Sequence, residues 1–293
     1  MKPAPFDYFA ATTVEQALAH LAVHGDEAKV LAGGQSLVPM MNFRLVQPSV
    51  LVDLNPIPDL AYIRPDEDGG LRIGALTRHY QVEVDPLVAA RMPLLHEAVP
   101  KIGYPQIRRR GTMGGSLCHA DPSAELVAVS VALNGRFRLR SPKGERWIPA
   151  QDFFIGLFTT VLQPDELLVE VALPPLPART GGSFMEVARR RHDFALVGVA
   201  AVVSLDGKGV CRQVRMVFLS AGDRPMEARR AADVLMGQAP TPEAIRAAAE
   251  IAASDDIDPS SDIHATAEFR RHLAKVLARR ALDQACRRAA EKK

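Results

Sequence analysis

The chain has 293 residues, 47% apolar and 24% charged, with 36 Lys and Arg against 34 Asp and Glu, a net charge of +2. That is the balance of a folded globular protein of two domains or one large one, with no basic field for nucleic acid. Phe194–Val203, the longest apolar run, is about half of the ~20 residues a membrane span needs, and the start of the chain lacks the apolar core of a signal peptide. Cys118, Cys211 and Cys286 are too few for a Cys-only iron–sulfur cluster, and their odd number points to a reducing, cytoplasmic setting.

Thr13-Val-Glu-Gln16 predicts a capped helix with Val14, Ala17, Leu18, Leu21 and Ala22 on one face. Lys29–Leu31 is a short strand running into Ala32-Gly33-Gly34-Gln35-Ser36, and Val50–Leu54 is another. Tyr62-Ile63 and Leu71–Ile73 flank Asp68-Gly-Gly70 as a hairpin. Ala124–Leu133 is an apolar helix stopped by Asn134-Gly135, followed by strands at Phe137–Leu139 and Arg146–Ile148. Pro174-Pro-Leu-Pro177 with Gly181-Gly182 is the strongest linker, so we expect a domain of residues 1–176 and a second of 177–293. Phe194–Leu205 then predicts a long strand, Val210–Phe218 its half-buried partner, and Pro225–Met236, Thr241 onward and Thr266–Ala290 three helices. The last is basic, with nine Lys or Arg against three acids from Glu268 to Lys293, a pattern expected of a solvated face.

Two glycine pairs could carry chemistry. Gly33-Gly34 follows a strand with Ser36 close behind, and Gly114-Gly115-Ser116 follows Arg110-Gly111-Thr112. Glycine lets backbone N–H groups approach a phosphate, and a hydroxyl adds a donor, so the pairs could grip a pyrophosphate; each taken alone is equally at home in a tight turn. Neither matches a Rossmann fingerprint or a P-loop. The triplets Arg108–Arg110 and Arg189–Arg191 suit a phosphate, a subunit interface or plain surface charge. His119-Ala-Asp121 has no nucleophile beside it, and Asp121 suits either a ribose hydroxyl or the cap of the next helix.

Val30–Leu45 and Gln106–Glu125 resemble the two flavin loops of the FAD-binding medium subunit of molybdenum hydroxylases, the relatives of xanthine dehydrogenase and aerobic carbon monoxide dehydrogenase. Phe153-Phe154-x-Gly156 with Asp165–Leu168, Ala188–Leu196, and Asp262–His272 resemble later stretches of the same family, in order. The resemblance implies an α+β fold: a two-subdomain FAD domain of the p-cresol methylhydroxylase/vanillyl-alcohol oxidase type, divided near residues 55–60, then a C-terminal domain with a small antiparallel sheet and a helix bundle.

It also implies a non-covalent FAD. Leu31, Ala32, Gly33, Gly34, Gln35, Ser36 and Leu37, with Thr112, Met113, Gly114, Gly115 and Ser116, would hold the pyrophosphate. Asp121 and Glu125 would sit near the adenosine ribose, Ile102 and Leu168 near the isoalloxazine, and Asp193 would approach from the C-terminal domain. Arg109, Tyr104 and Cys118 depart from the usual pattern, and neither Met185 nor Glu186 is the lysine that some relatives place there.

The implied function is electron transfer within a multi-subunit oxidoreductase. A large subunit would carry a molybdenum cofactor, a small one two [2Fe-2S] clusters, and a dimer of such heterotrimers would pass electrons through FAD to an external acceptor. No residue of this chain would act on the organic substrate. Two rivals are a self-contained flavin oxidoreductase, which needs a substrate-proton residue or covalent attachment with no motif here, and a flavin-free regulatory module, which intact glycine loops oppose.

Overall fold

The computed structural model describes residues 2–292. Strands β1 (Asp7–Ala10), β2 (Ala28–Leu31) and β3 (Val50–Asp53) form a parallel sheet in the order β1-β3-β2. The central β3 is apolar on both faces and buried throughout, as a covered parallel strand must be. Helix α1 (Val14–His24) crosses between β1 and β2, with the Thr13 hydroxyl accepting the Gln16 N–H at 3.2 Å. The Gln16 side chain returns to the N–H of Thr12, one residue earlier than a strict capping box. Helix α2 (Leu37–Asn42) follows the first glycine loop.

An antiparallel sheet comes next, with β4 (Ile63–Pro65), β5 (Leu71–Gly74), β6 (Arg136–Ser141), β7 (Gly144–Pro149) and, beyond the small hairpin β8 (Phe154–Gly156)–β9 (Thr159–Thr160), β10 (Leu167–Leu173). Its order, β4-β5-β10-β6-β7, puts β10 at the centre. Helices fill the stretch between β5 and β6: α3 (His79–Val84), α4 (Pro86–Arg91), α5 (Pro93–Ala98), α6 (Pro105–Arg108), α7 (Met113–His119) and α8 (Glu125–Ala132), while α9 (Ala150–Phe153) follows β7. Prolines open α4, α5 and α6 at the first position, where a missing N–H leaves no bond unmade. Every residue of α8 from Leu126 to Ala132 is buried, which suits a helix that is apolar all round.

The C-terminal sheet is a meander of β11 (Thr180–Ala188), β12 (Ala195–Leu205), β13 (Cys211–Leu219) and β14 (Met226–Glu227). All of β12 is buried, because the sheet is covered on both sides. Phe184, Ala200, Val202, Val217 and Leu219 join the core of α5 and α8, whereas Val197, Val199, Ala201 and Val203 pack against α10 (Arg229–Leu235), α11 (Pro242–Ile251) and α12 (Ala267–Glu291). The alternation of a strand, period two, sorts these side chains between the faces.

Three expectations are corrected. Gly181 and Gly182 are not linker but buried strand: a Cβ on Gly181 would lie 2.0 Å from the Ala285 carbonyl oxygen, so glycine is what admits α12 to backbone contact. The expected helix from Pro225 begins only at Arg229, because Met226 and Glu227 pair with Phe218 and Val217. Phe194 lies outside the strand it was expected to open and is exposed. In α12 the buried row runs through Ala274, Ala278, Ala281, Ala285 and Ala289, and Phe269 is half exposed.

Candidate cofactor site

The first glycine loop leaves β2 and turns at Gly34, whose φ of +71° lies in the left-handed region. Among the described residues, nothing accepts the backbone N–H of Gly33, Gly34, Gln35 or Ser36. The Gln35 side chain folds back on the Gly33 carbonyl at 3.1 Å. Four successive free donors beside a partly exposed hydroxyl make a concavity for an anion.

The second glycine pair is built differently. Thr112 is the N-cap of α7, and Gly114 and Gly115 lie in its first turn rather than in a loop. Its N–H groups are already bonded: Met113 to the Thr77 carbonyl (2.9 Å), Gly114 to Ala75 (2.8 Å), Gly115 to the Thr112 hydroxyl (3.1 Å) and Ser116 to the Thr112 carbonyl (3.1 Å). The glycines serve close packing. A Cβ on Gly114 would lie 2.7 Å from that of Ala75, and one on Gly115 would lie 2.6 Å from the Thr112 hydroxyl. The Ser116 side chain is partly exposed, while Thr112 and Met113 are buried.

The two segments touch. A Cβ on Gly33 would stand 2.4 Å from the Arg110 carbonyl oxygen. A clasp of side chains holds them there. Asn55 donates to the Ala32 carbonyl (2.9 Å) and takes its own orientation from Asp53, which also accepts the Tyr8 hydroxyl (2.6 Å). Arg78 donates to both the Asn55 side chain and the Arg110 carbonyl, at 2.5 Å each. Behind them His79 bonds the Thr112 carbonyl at 2.9 Å. A carbonyl only accepts, so Nε2 carries the proton, and Nδ1 is buried without a partner. Burial holds this imidazole down to about 4, well below its ordinary range. Sequence reasoning missed Asn55, Arg78 and His79, because nothing local marks residues that act across 23 to 33 positions.

The other expected residues divide into three groups. Asp121 and Asp193 line one cleft of about 490 Å³ with Leu157, Phe158 and Arg189. Asp121 does not cap α8, whose N-cap is Ala124; its carboxylate accepts the N–H and hydroxyl of Ser123 in a local turn. Glu125 opens α8, and burial with the nearby charge of Glu186 pushes its carboxyl up to about 8. Leu31, Leu37 and Ile102 are partly buried, whereas Leu168 sits in the core on β10. Of the departures, Arg109 stacks over Tyr80 at 4.7 Å, Tyr104 leans on His192 at 5.2 Å, and burial pushes the Cys118 thiol up to about 12.

The open N–H groups and the backbone-to-backbone approach at Gly33 fit an FAD pyrophosphate; no catalytic nucleophile and base are gathered here. Residues 4–176 match the FAD-binding domain of molybdopterin dehydrogenases, and residues 182–285 the C-terminal domain of the CO dehydrogenase flavoprotein. These matches define a flavoprotein subunit of an oxidoreductase. The chain is 43% identical to the 6-hydroxypseudooxynicotine dehydrogenase complex subunit alpha of Paenarthrobacter nicotinovorans, over 99% of this chain and 97% of that one. The carbon monoxide dehydrogenase of Hydrogenophaga pseudoflava that lacks the Mo-pyranopterin moiety superposes with a TM-score of 0.95 at 38% identity, covering 98% of this chain and 99% of that one. Quinoline 2-oxidoreductase from Pseudomonas putida 86 gives 0.92 at 37% identity, covering 99% of each chain. The chain belongs to the FAD-binding medium subunits of the multi-subunit molybdenum hydroxylases.

Proposed function

We propose that this chain is the electron relay of its complex, holding FAD non-covalently between the two glycine segments and the C-terminal sheet. The row of four free N–H groups from Gly33 to Ser36 carries this reading. They would bind one part of the pyrophosphate, with the hydroxyls of Ser36 and Ser116 at its edges, while Gly114 and Gly115 keep α7 close to the first loop. Asp121 and Glu125 would meet the ribose side, and Ile102 and Asp193 the ring side. Leu168, and Met113 in the wall behind, would support the site from the core. The protein's task is to bind, orient and shield the flavin; bound FAD supplies a store that accepts and releases electrons.

The reading also divides the chain into residues 1–176, with subdomains meeting near 55–60, and 177–293; the gaps between the strands that end at Asp53, begin at Ile63 and begin again at Thr180 support it. Among the described residues, no three His, Cys, Asp or Glu side chains form a metal-ligand set. By its kinship with multi-subunit medium chains, the reading places the molybdenum cofactor on a large subunit and two [2Fe-2S] clusters on a small one, in a cytoplasmic heterohexamer, a dimer of heterotrimers, that delivers electrons to an external acceptor. No helix among the described residues is long and apolar enough to cross a membrane.

The visible spectrum of the chain, purified alone and then co-expressed with its genomic neighbours, tests this. The expected result is flavin bands that yield free FAD on denaturation, joined by iron–sulfur absorption only in the complex. A colourless chain that takes up no FAD and captures no partner sinks it. Turnover of an organic substrate by this chain with FAD alone would replace it with the self-contained oxidoreductase.

A further inference from the structure

Two buried carboxylates have opposite surroundings. Glu170, fully buried on β10, accepts the Tyr62 hydroxyl and pairs with Arg64 at 3.0 Å and Arg72 at 2.9 Å. Glu186, on β11, has a carboxylate oxygen shut off from solvent with no hydrogen-bond partner at all. The period of the strand fixes where it faces. Ser183 bonds Gln284 of α12, and Met185 and Val187 pack into the helix layer, so Phe184 and Glu186 face the N-terminal part, where Phe184 joins the core.

There Glu186 lines a second cleft, of about 360 Å³, with Pro100, Lys101 and the Arg189–His192 segment. This cleft shares Arg189 with the one that holds Asp121 and Asp193, and Lys101 adjoins Ile102. The charged groups around Glu186 are Glu125 from α8, with Asp121 behind it, Lys101 from the turn after α5, and Arg189, Arg190, Arg191 and His192 from the stretch after β11. None of these cations makes an ion pair with it within 4 Å. Burial pushes Glu186 up to about 7, against the pull of Lys101, and repulsion from Glu186 helps raise Glu125. Both carboxyls thus hold their protons to a higher pH than an ordinary carboxylate does.

We propose that the Glu125–Glu186 pair is a proton reservoir of the flavin site, in which Glu186 takes a proton from water onto its unpartnered oxygen when electrons reach the bound FAD, and returns it when they leave. This inference rests on the placing of FAD against this face. The driving force is Coulombic: added negative charge in a low-dielectric cleft raises the proton affinity of a nearby carboxylate. The partner's donors supply the electrons, water supplies and recovers the proton, and no other bond is made or broken.

The test is photoreduction of the full chain loaded with FAD, in weak buffer with a pH-indicator dye, for wild type and Glu186→Gln. Wild type is expected to take up as much as about half a proton more per flavin near pH 7 than the variant, since Glu186 is half protonated there before reduction, with the difference closing at pH 5, where both carboxyls are already protonated. In infrared difference spectra wild type gains a protonated-carboxyl carbonyl band on reduction that shifts in D2O, a readout that needs no variant. Equal proton uptake at every pH and no such band overturn the reservoir while leaving the FAD site standing. A wild-type chain that binds no FAD overturns the site and the reservoir together.

Discussion

The two glycine pairs look alike in sequence and do opposite work. Gly33-Gly34 opens a loop whose donors have nothing to bond among the described residues, whereas Gly114-Gly115 lies in a helix whose donors are all engaged. Glycine is required in the first for φ and for the approach to Arg110, and in the second for packing against Ala75 and the Thr112 hydroxyl. On the proposed reading one segment serves the ligand and the other serves the segment beside it, so that a single loop would make the phosphate grip while a second holds it in place.

Alanine at either position separates the roles most sharply. Gly33→Ala puts a Cβ into the Arg110 carbonyl; it should cost the FAD-free chain ~1–3 kcal/mol by overpacking and, beyond that, weaken FAD binding by about 100-fold, roughly 2.7 kcal/mol. Gly114→Ala should lower the stability of the FAD-free chain by ~1–3 kcal/mol through overpacking against Ala75. If calorimetry and FAD titration give the reverse pattern, the comparison is wrong.

His79 gives a pH signature to the second segment. The unfolded imidazole takes a proton below about 6.5, while the folded one refuses it until about 4. This group should therefore take stability from the FAD-free chain as pH drops through that window, by as much as ~3 kcal/mol, against the opposite pull of the raised carboxyls of Glu125 and Glu186. Chemical denaturation of wild type and His79→Gln at pH 4.5 and 7 checks it as the difference between the two chains, which share the carboxyls.

The clasp should show intermediate effects. Arg78→Ala frees the Arg110 carbonyl and Asn55 at once and should cost about tenfold in FAD affinity, with Asn55→Ala close behind. If the double variant is no worse than either single one, the two residues act as one unit. The smallest effects compare hydroxyls. Ser36→Ala should weaken FAD binding by a factor of about 3 without changing melting, and Thr112→Val should cost ~1 kcal/mol of stability through its lost cap on Gly115.

The local signals in the sequence were dependable where structure is local. Thr13, Thr241 and Thr266 cap the helices their spacing implied, and the alternation from Val210 to Phe218 is a strand. The glycine pairs marked the right stretches but not their conformations, because a pair of glycines serves a turn and a close contact equally well. Gly181-Gly182 misled for the same reason: the helix that demands it lies about a hundred residues further on. Asn55, Arg78 and His79 carried no sign at all, since their importance comes from partners on other elements, and Glu186 was marked only as a departure from the lysine of some relatives.

The contact between Gly181 and the Ala285–Ala289 turn of α12 also orders events during synthesis. Until α12 leaves the ribosome, the helix-side face of β11 and β12 lacks its main cover, and only α10, with α11 packed on it, is in place against β13. The stretch from Ser116 to Ala285 takes roughly 10–30 s to make at ~5–20 residues per second. The nascent chain therefore holds its finished glycine segments, and a half-covered hydrophobic sheet, well before Arg288 can bind Glu97 and the Gly182 carbonyl. In that interval a chaperone would find its target on the C-terminal sheet, away from the cofactor loops.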